Sequence, residues 1–175
     1  MKFNKKIGIF GVLLSSMFLT TSYAAKDGKS AGSGLAYTGK TDITGTTKIK
    51  INAKNVKNII GSTAGNNRGV IRVGSVRSSK IKGKLDIEVT AKEILNEIKA
   101  GKGNVAEIKM GNIEYSDIGG DVKIKTFVKG SVKNTIVKGN NNQAYINIGS
   151  ISNAKLGQKV NIDVAVQGDV INSIA

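Results

Sequence analysis

The chain has no cysteine, no proline, no tryptophan and no histidine in 175 residues, and aromatics make up only 5% of it. Each absence removes a class of chemistry. Without cysteine there are no disulfides, no thiolate nucleophile and no sulfur ligand. Without histidine as well, neither a nucleophile–imidazole triad nor a nitrogen metal site can be built. Beyond residue 24 the only aromatics are Tyr37, Tyr115, Phe127 and Tyr145, too few for a base-stacking surface, so no specific nucleic-acid partner is expected.

The paired carboxylates Asp86/Glu88 and Asp117/Asp121 are the remaining parts from which a hydrolase could be made. On a strand the first pair would share a solvent face with lysines, which reads as charge balance. Gly119-Gly120-Asp121 offers too few acids for a calcium loop. No catalysis, cofactor or metal is expected. Gly34-Leu-Ala-Tyr-Thr-Gly39-Lys40-Thr41 matches the phosphate-loop pattern letter for letter. That loop needs a buried strand before it and a helix after it. Here a small, polar stretch precedes it and a Thr- and Gly-rich, β-branched stretch follows, so the match reads as chance.

What the sequence does contain begins with a processing signal. Lys2, Lys5 and Lys6 form a positive n-region, Ile7 to Leu19 is apolar, and Ser22-Tyr23-Ala24 supplies a small-x-small cleavage site. The apolar run is shorter than the roughly 20 residues that span a bilayer. Residues 1–24 are therefore expected to be cleaved, with the mature chain starting at Ala25. No lipoprotein-type Cys follows the apolar run, and no second run of spanning length appears, so no transmembrane anchor is expected after processing. The chain is expected to be exported to the cell surface or the extracellular space, with the periplasm as the other destination.

The formal charge is +15, and loss of the three signal lysines leaves the mature chain near +12, with 24 basic against 12 acidic residues. Such a balance favours polyanions such as lipopolysaccharide, teichoic acid or acidic polysaccharide. The lysines are spread evenly, however, as they are on a solvated surface that keeps a β-rich protein soluble.

Self-similarity organises the rest. Gly111, Gly130, Gly149 and Gly168 are each 19 residues apart, and each opens a Gly-x-(Ile/Val) element. An Asn stands four residues after the last three, at Asn134, Asn153 and Asn172. Fainter copies stand at Ile94/Asn96, Gly74-Ser75-Val76 and Asn55-Val56-Lys57-Asn58. The apolar residues run at period 2, as in half-buried strands, but in two alternating phases: Val122, Ile124, Val128, Val132 in one, and Ala144, Ile146, Ile148, Ile151 in the other. The full repeat is thus about 38 residues with two strands in each, about seven strands in all. The phase slip at Gly149 has the form of a bulge or bend.

Gly- and Asn-rich turns such as Lys82-Gly83-Lys84, Gly101-Lys102-Gly103-Asn104 and Gly139-Asn140-Asn141-Asn142 separate the strands. The expected fold is all-β. The alternating phases favour an antiparallel meander, closed as a sandwich or barrel, over a β-solenoid in which Gly marks a corner and Asn residues stack. One stretch competes: Thr90 to Glu93 could be a capping box, and Ala91, Ile94, Leu95 and Ile98 have helical spacing, so a short helix near 91–100 is an alternative.

The expected organisation is a signal at 1–24, a flexible leader and first strand at 25–47, and a β-repeat domain at 48–175. The leader proper is Ala25 to Gly34. The sequence ends at Ala175 directly after the last repeat, so Val160 to Asn172 is expected to form an open edge strand.

In general design, residues 48–175 resemble secreted bacterial β-repeat proteins such as the curlins, with an export signal, Gly/Asn-punctuated strand pairs and no catalytic residues. Curlin repeats are built on recurring Ser, Gln, Gly and Asn, whereas this chain has one Asn per 19-residue half-repeat, little Gln and many Lys. The resemblance transfers no functional residues. Two functions follow from the residues themselves. One is a secreted structural protein (a fibre, matrix or adhesin component) that packs against itself or other surface components through strand edges. Its key residues would be the bend glycines Gly111, Gly130, Gly149 and Gly168 and the ladder Asn134, Asn153 and Asn172. The other is a monomeric binding module for an acidic glycan, using Lys123, Lys125, Lys129 and Lys133.

Overall fold

The inward aliphatic residues of the long central strand, Leu85, Ile87, Val89, Ala91, Ile94 and Ile98, are at most 1% exposed. Alternation of such residues with polar ones is what a one-face-buried sheet requires. The computed structural model describes residues 12–15, 22–23, 31–38, 42–43, 45–61 and 65–175, the first four of these pieces through their backbone pairing.

The chain coils. One layer holds β1 (Val12–Ser15), β2 (Ser22–Tyr23), β3 (Ala31–Thr38) and β4 (Asp42–Ile43). The next holds β5 (Thr47–Ile60), β6 (Arg68–Arg77) and β7 (Lys80–Ile81). Then come β8 (Leu85–Ile98), β9 (Val105–Met110), β10 (Ile113–Glu114) and β11 (Asp117–Ile118). Above them lie β12 (Val122–Val128), β13 (Val132–Ile136), β14 (Gln143–Ile148), β15 (Ile151–Ser152) and β16 (Lys155–Leu156). β17 (Val160–Val166) and β18 (Val170–Ile174) open a further layer.

Three sheets result, and every strand pairing in them is parallel. The first sheet stacks β1 and β2, then β5, β8, β12 with β13, and β17 with β18. The second stacks β3, β6, β9 with β10, and β14 with β15; the third stacks β4, β7, β11 and β16. Strand partners are one coil apart: Thr47 pairs with Leu85, Leu85 with Val122, and Val122 with Val160. The fold is an all-β solenoid with a repeat of 37 or 38 residues.

Parallel neighbours need a long connection between them, and here the rest of the coil supplies it. The antiparallel meander is therefore corrected. The two apolar phases belong to the two long sides of one coil, which face each other across the core, and not to strands running up and down. Short turns such as Lys82-Gly83-Lys84 are corners of the coil rather than hairpins. The estimate of about seven strands is corrected as well, because each coil has a third, short side (β4, β7, β11 or β16) and the upper long sides are broken by bends into shorter strands.

No helix occurs among the described residues, and the helix near 91–100 is replaced by the second half of β8. Its three-residue step from Ala91 to Ile94 is a bend in a strand that shifts the inward phase. It is matched in register by Ala53/Val56 below and by Val128/Val132 above. Leu95, which helical spacing would bury with them, sits on the other face.

The core is columnar. Ile71 stacks with Ile108 and Ile146, Ile87 with Ile49 and Ile124, and Ile98 with Ile60 and Ile136. Stacking like on like fills each layer with the same shape, so the layers interlock. β3 begins at Ala31 and so includes the last four residues of the stretch expected as leader. Of the phosphate-loop match, Gly34 to Thr38 lies in β3, and Gly39, Lys40 and Thr41 lie outside the described residues. β1 and β2 fall within the expected signal, the rest of which also lies outside them.

Candidate functional site

An asparagine ladder runs through the core. Asn58 Nδ2 donates to Asn96 Oδ1, Asn96 Nδ2 to Asn134 Oδ1, and Asn134 Nδ2 to Asn172 Oδ1, each at 2.9 Å. The same amides reach the backbone of the facing sheet: Asn96 donates to Gly69 O at 3.0 Å, Asn134 to Ala106 O at 3.0 Å, and Asn172 to Ala144 O at 2.9 Å. Asn58, Asn96 and Asn134 are fully buried. Burying an amide is costly unless it is bonded, so the ladder holds only when each layer supplies the next asparagine in register.

Of the three ladder positions expected from sequence, Asn134 and Asn172 belong to it. Asn153 does not: it takes a left-handed φ of 49° at a corner, in column with Tyr115 and Ser78 at 50° and 53°. It shares that corner role because asparagine tolerates the left-handed region. Asn58 and Asn96 complete the ladder, and the 38-residue spacing was the signal that marks them. A second series, Asn67, Asn104 and Asn142, lines another corner, where the Oδ1 of Asn104 and that of Asn142 each accept from the backbone N–H one layer below at 3.0 Å.

The four glycines divide into two columns. Gly111 and Gly149, with Gly74, have φ of 59–63° and lie where the second sheet presses on the first. A Cβ on Gly111 would come within 2.7 Å of Thr126 Oγ1 and 2.9 Å of Ile124 Cγ2. Gly130 and Gly168 form the other column, at the bend between the two halves of the first sheet, where a Cβ on Gly130 would meet the Lys92 carbonyl at 2.6 Å. The 19-residue spacing thus links opposite sides of one coil rather than neighbouring strands.

The last layer of the first sheet is uncovered. Val160, Ile162 and Val164 are 38–42% exposed, and Val170 and Ile174 about half, although each continues a column that is buried one layer below. Among the described residues no strand pairs with the outer edge of β17 or β18. Over Val160 to Asn172 this layer thus carries inward-type apolar side chains that are exposed, together with Asn172 of the ladder.

The lysine face differs from a basic patch. Lys123, Lys125, Lys129 and Lys133 are all exposed. Register sets Lys123 next to Asp86, and Lys125 between Glu88 and Asp163. Lys50 pairs with Glu88 at 3.3 Å in the same column. Going up that column the charges read Lys50, Glu88, Lys125, Asp163. Lys129 follows β12 at the bend, and Lys133 stands beyond it in β13 beside the apolar Leu95 and Ile171. The four lysines therefore do not form one uninterrupted cationic surface.

On the outside of the second sheet, two nearly buried carboxylates tie layers together. Glu107 meets Arg68 at 3.2 Å, Arg72 at 3.7 Å and Lys109 at 2.9 Å. Glu114 meets Lys109 at 2.6 Å and Arg77 at 3.8 Å. Burial alone would raise the Glu107 carboxyl, but Lys109, Arg72 and Arg68 together hold it below its ordinary value. Burial would lower Lys109, and its bonds to Glu114 and Glu107 raise it instead. No helix among the described residues is long and apolar enough to cross a membrane.

Comparison with protein-family models, curated proteins and solved structures returns no match. The curlin-like design gains no support from them.

Proposed function

We propose that the chain is exported, loses residues 1–24, and serves as a structural component that assembles through the open strand edges of its coil, as part of a fibre, matrix or adhesive surface layer, without catalysis. One observation carries this reading: the layer formed by β17 and β18 presents core-type residues and unpaired backbone to solvent. An edge of that kind is a template for further strands. Its residues continue buried columns, so an added strand of matching pattern would bury them as the layers below are buried. The alternative, a polyanion-binding module, is less well supported, because acids from adjacent layers stand among its lysines.

Light scattering and negative-stain microscopy of the processed protein across salt test the reading. Oligomers or fibres that persist at high salt are expected, since apolar and amide contacts are not screened. A monomer under all conditions would overturn it. Steep loss of glycan binding with salt would instead favour the polyanion reading.

A further inference from the structure

Resting on that reading, the structure also points to the partner and to what controls access to it. Set β1 and β2 aside. The first sheet then has four layers (β5, β8, β12 with β13, β17 with β18), the second has four (β3, β6, β9 with β10, β14 with β15), and the third has four (β4, β7, β11, β16). The layers are staggered. At the upper end the first sheet stands one layer proud of the other two. At the lower end it stops one layer short, because β3 and β4 continue beneath β6 and β7 while nothing but β1 and β2 lies beneath β5. A protruding step at one end matches a recessed step at the other.

We infer that the open upper layer docks on β5 of a second copy, that the coils stack end to end in register, and that residues 1–24 block this until they are cleaved. The retained segment occupies the docking edge: Val12 to Ser15 pair with Lys48 to Ile51, and Ser22 and Tyr23 with Asn58 and Ile59. The protruding β17 and β18 of another copy would need that same space. Processing removes β1 and β2 and leaves the recess.

The register of the stack follows from the columns. Val160, Leu85 and Thr47 share one column, so Val160 of one copy lies over Thr47 of the next. By the same step Val164 lies over Ile51, Val170 over Val56, and Ile174 over Ile60. Asn172 lies over Asn58, carrying the ladder from copy to copy where the precursor has Ser22 beside Asn58. Charge also agrees. In the column Lys50, Glu88, Lys125, Asp163, the residue after Asp163 is Lys50 of the next copy, so the alternation of sign continues across the joint. A like-charge sequence there would oppose docking.

Every described buried apolar side chain lies between Ile51 and Ile136. The test begins with the purified full chain, half of it processed with signal peptidase. With layers spaced by about 4.8 Å, four layers per copy give an axial repeat of about 19 Å in fibre diffraction or electron microscopy. Filaments with that repeat are expected from the processed protein and not from the full chain. The full chain, whose upper layer is still open, is expected to cap growth when added to processed protein. Val164→Lys, at an exposed position of the unassembled chain, is expected to leave circular dichroism unchanged and to raise the concentration needed for assembly about tenfold or more, because stacking would bury its charge against Ile51. Filaments from both forms of the chain, or filaments without the four-layer repeat, would overturn end-to-end stacking and leave assembly through strand edges standing. A processed protein that stays monomeric would overturn both.

Discussion

Two adjacent layers of the first sheet carry almost the same residues in opposite surroundings. In β12 the inward Val122 and Ile124 are at most 2% exposed, whereas Val160 and Ile162, directly above them in β17, are 38% and 42% exposed. The same contrast holds between Val132 in β13, at 0%, and Val170 in β18, at 54%. Sequence pattern assigns a residue to a column, but burial depends on having a layer on each side. In a stacked repeat the energy of a position is therefore set as much by its neighbours along the axis as by its own chemistry. The inner layers make stability, and the outer one holds the same kind of contact unspent.

The contrast predicts a hierarchy of substitutions, measured by chemical denaturation of the unassembled full chain. Ile124→Ala should cost about 2–5 kcal/mol, as removal of a buried aliphatic does. Ile162→Ala, one layer up in the same column, should cost less than half as much, and equal costs would break the comparison. Asn134→Ala orphans ladder partners on both sides and should cost about 1–3 kcal/mol, against less than about 1 kcal/mol for Asn172→Ala at the ladder's end. Thr126 stands in a column with Val89 and Val164, and its buried Oγ1 has no hydrogen-bond partner. Thr126→Val should therefore stabilise the protein by about 1 kcal/mol.

The smallest effect concerns pH. The folded Glu107 carboxyl lies below its ordinary 4.5, so its contribution is present above that value and fades as pH falls through the lowered folded value. Lys109 is raised above its ordinary 10.5, so its contribution is complete below that value and fades as pH rises through the raised folded one. Stability should hold on the plateau between these limits, and Glu107→Gln should flatten the acid limb of an unfolding-midpoint profile. An unchanged acid limb would remove the carboxylate from the account.

The repeat length and the all-β character were legible from spacing alone. The direction of the strands was not. A Gly-rich turn looks the same in a sequence whether it closes a hairpin or turns a coil by one corner, so Lys82-Gly83-Lys84 could not decide between them. Half-turn similarity also hid the split of Gly111 and Gly149 from Gly130 and Gly168, because a 19-residue period treats opposite sides of the coil as equivalent. Asn153 followed the period of Asn134 and Asn172 and still took a corner role, since asparagine suits both a ladder and a left-handed turn. The alternation of Lys50, Glu88, Lys125 and Asp163 emerges only once the 37- and 38-residue registers are known.

The absence of cysteine from the chain allows a direct test of the central claim, that the open layer of one copy docks on β5 of the next. Asn161 and Lys48 share a column, so docking would set them on adjacent strands about 4.8 Å apart, within the reach of a disulfide. A Lys48→Cys, Asn161→Cys double variant, cleaved after residue 24 and mildly oxidised, is predicted to give a ladder of covalent multimers on a non-reducing gel, while the uncleaved chain stays monomeric. Monomers alone from the cleaved protein, or the same multimers before cleavage, would contradict the account.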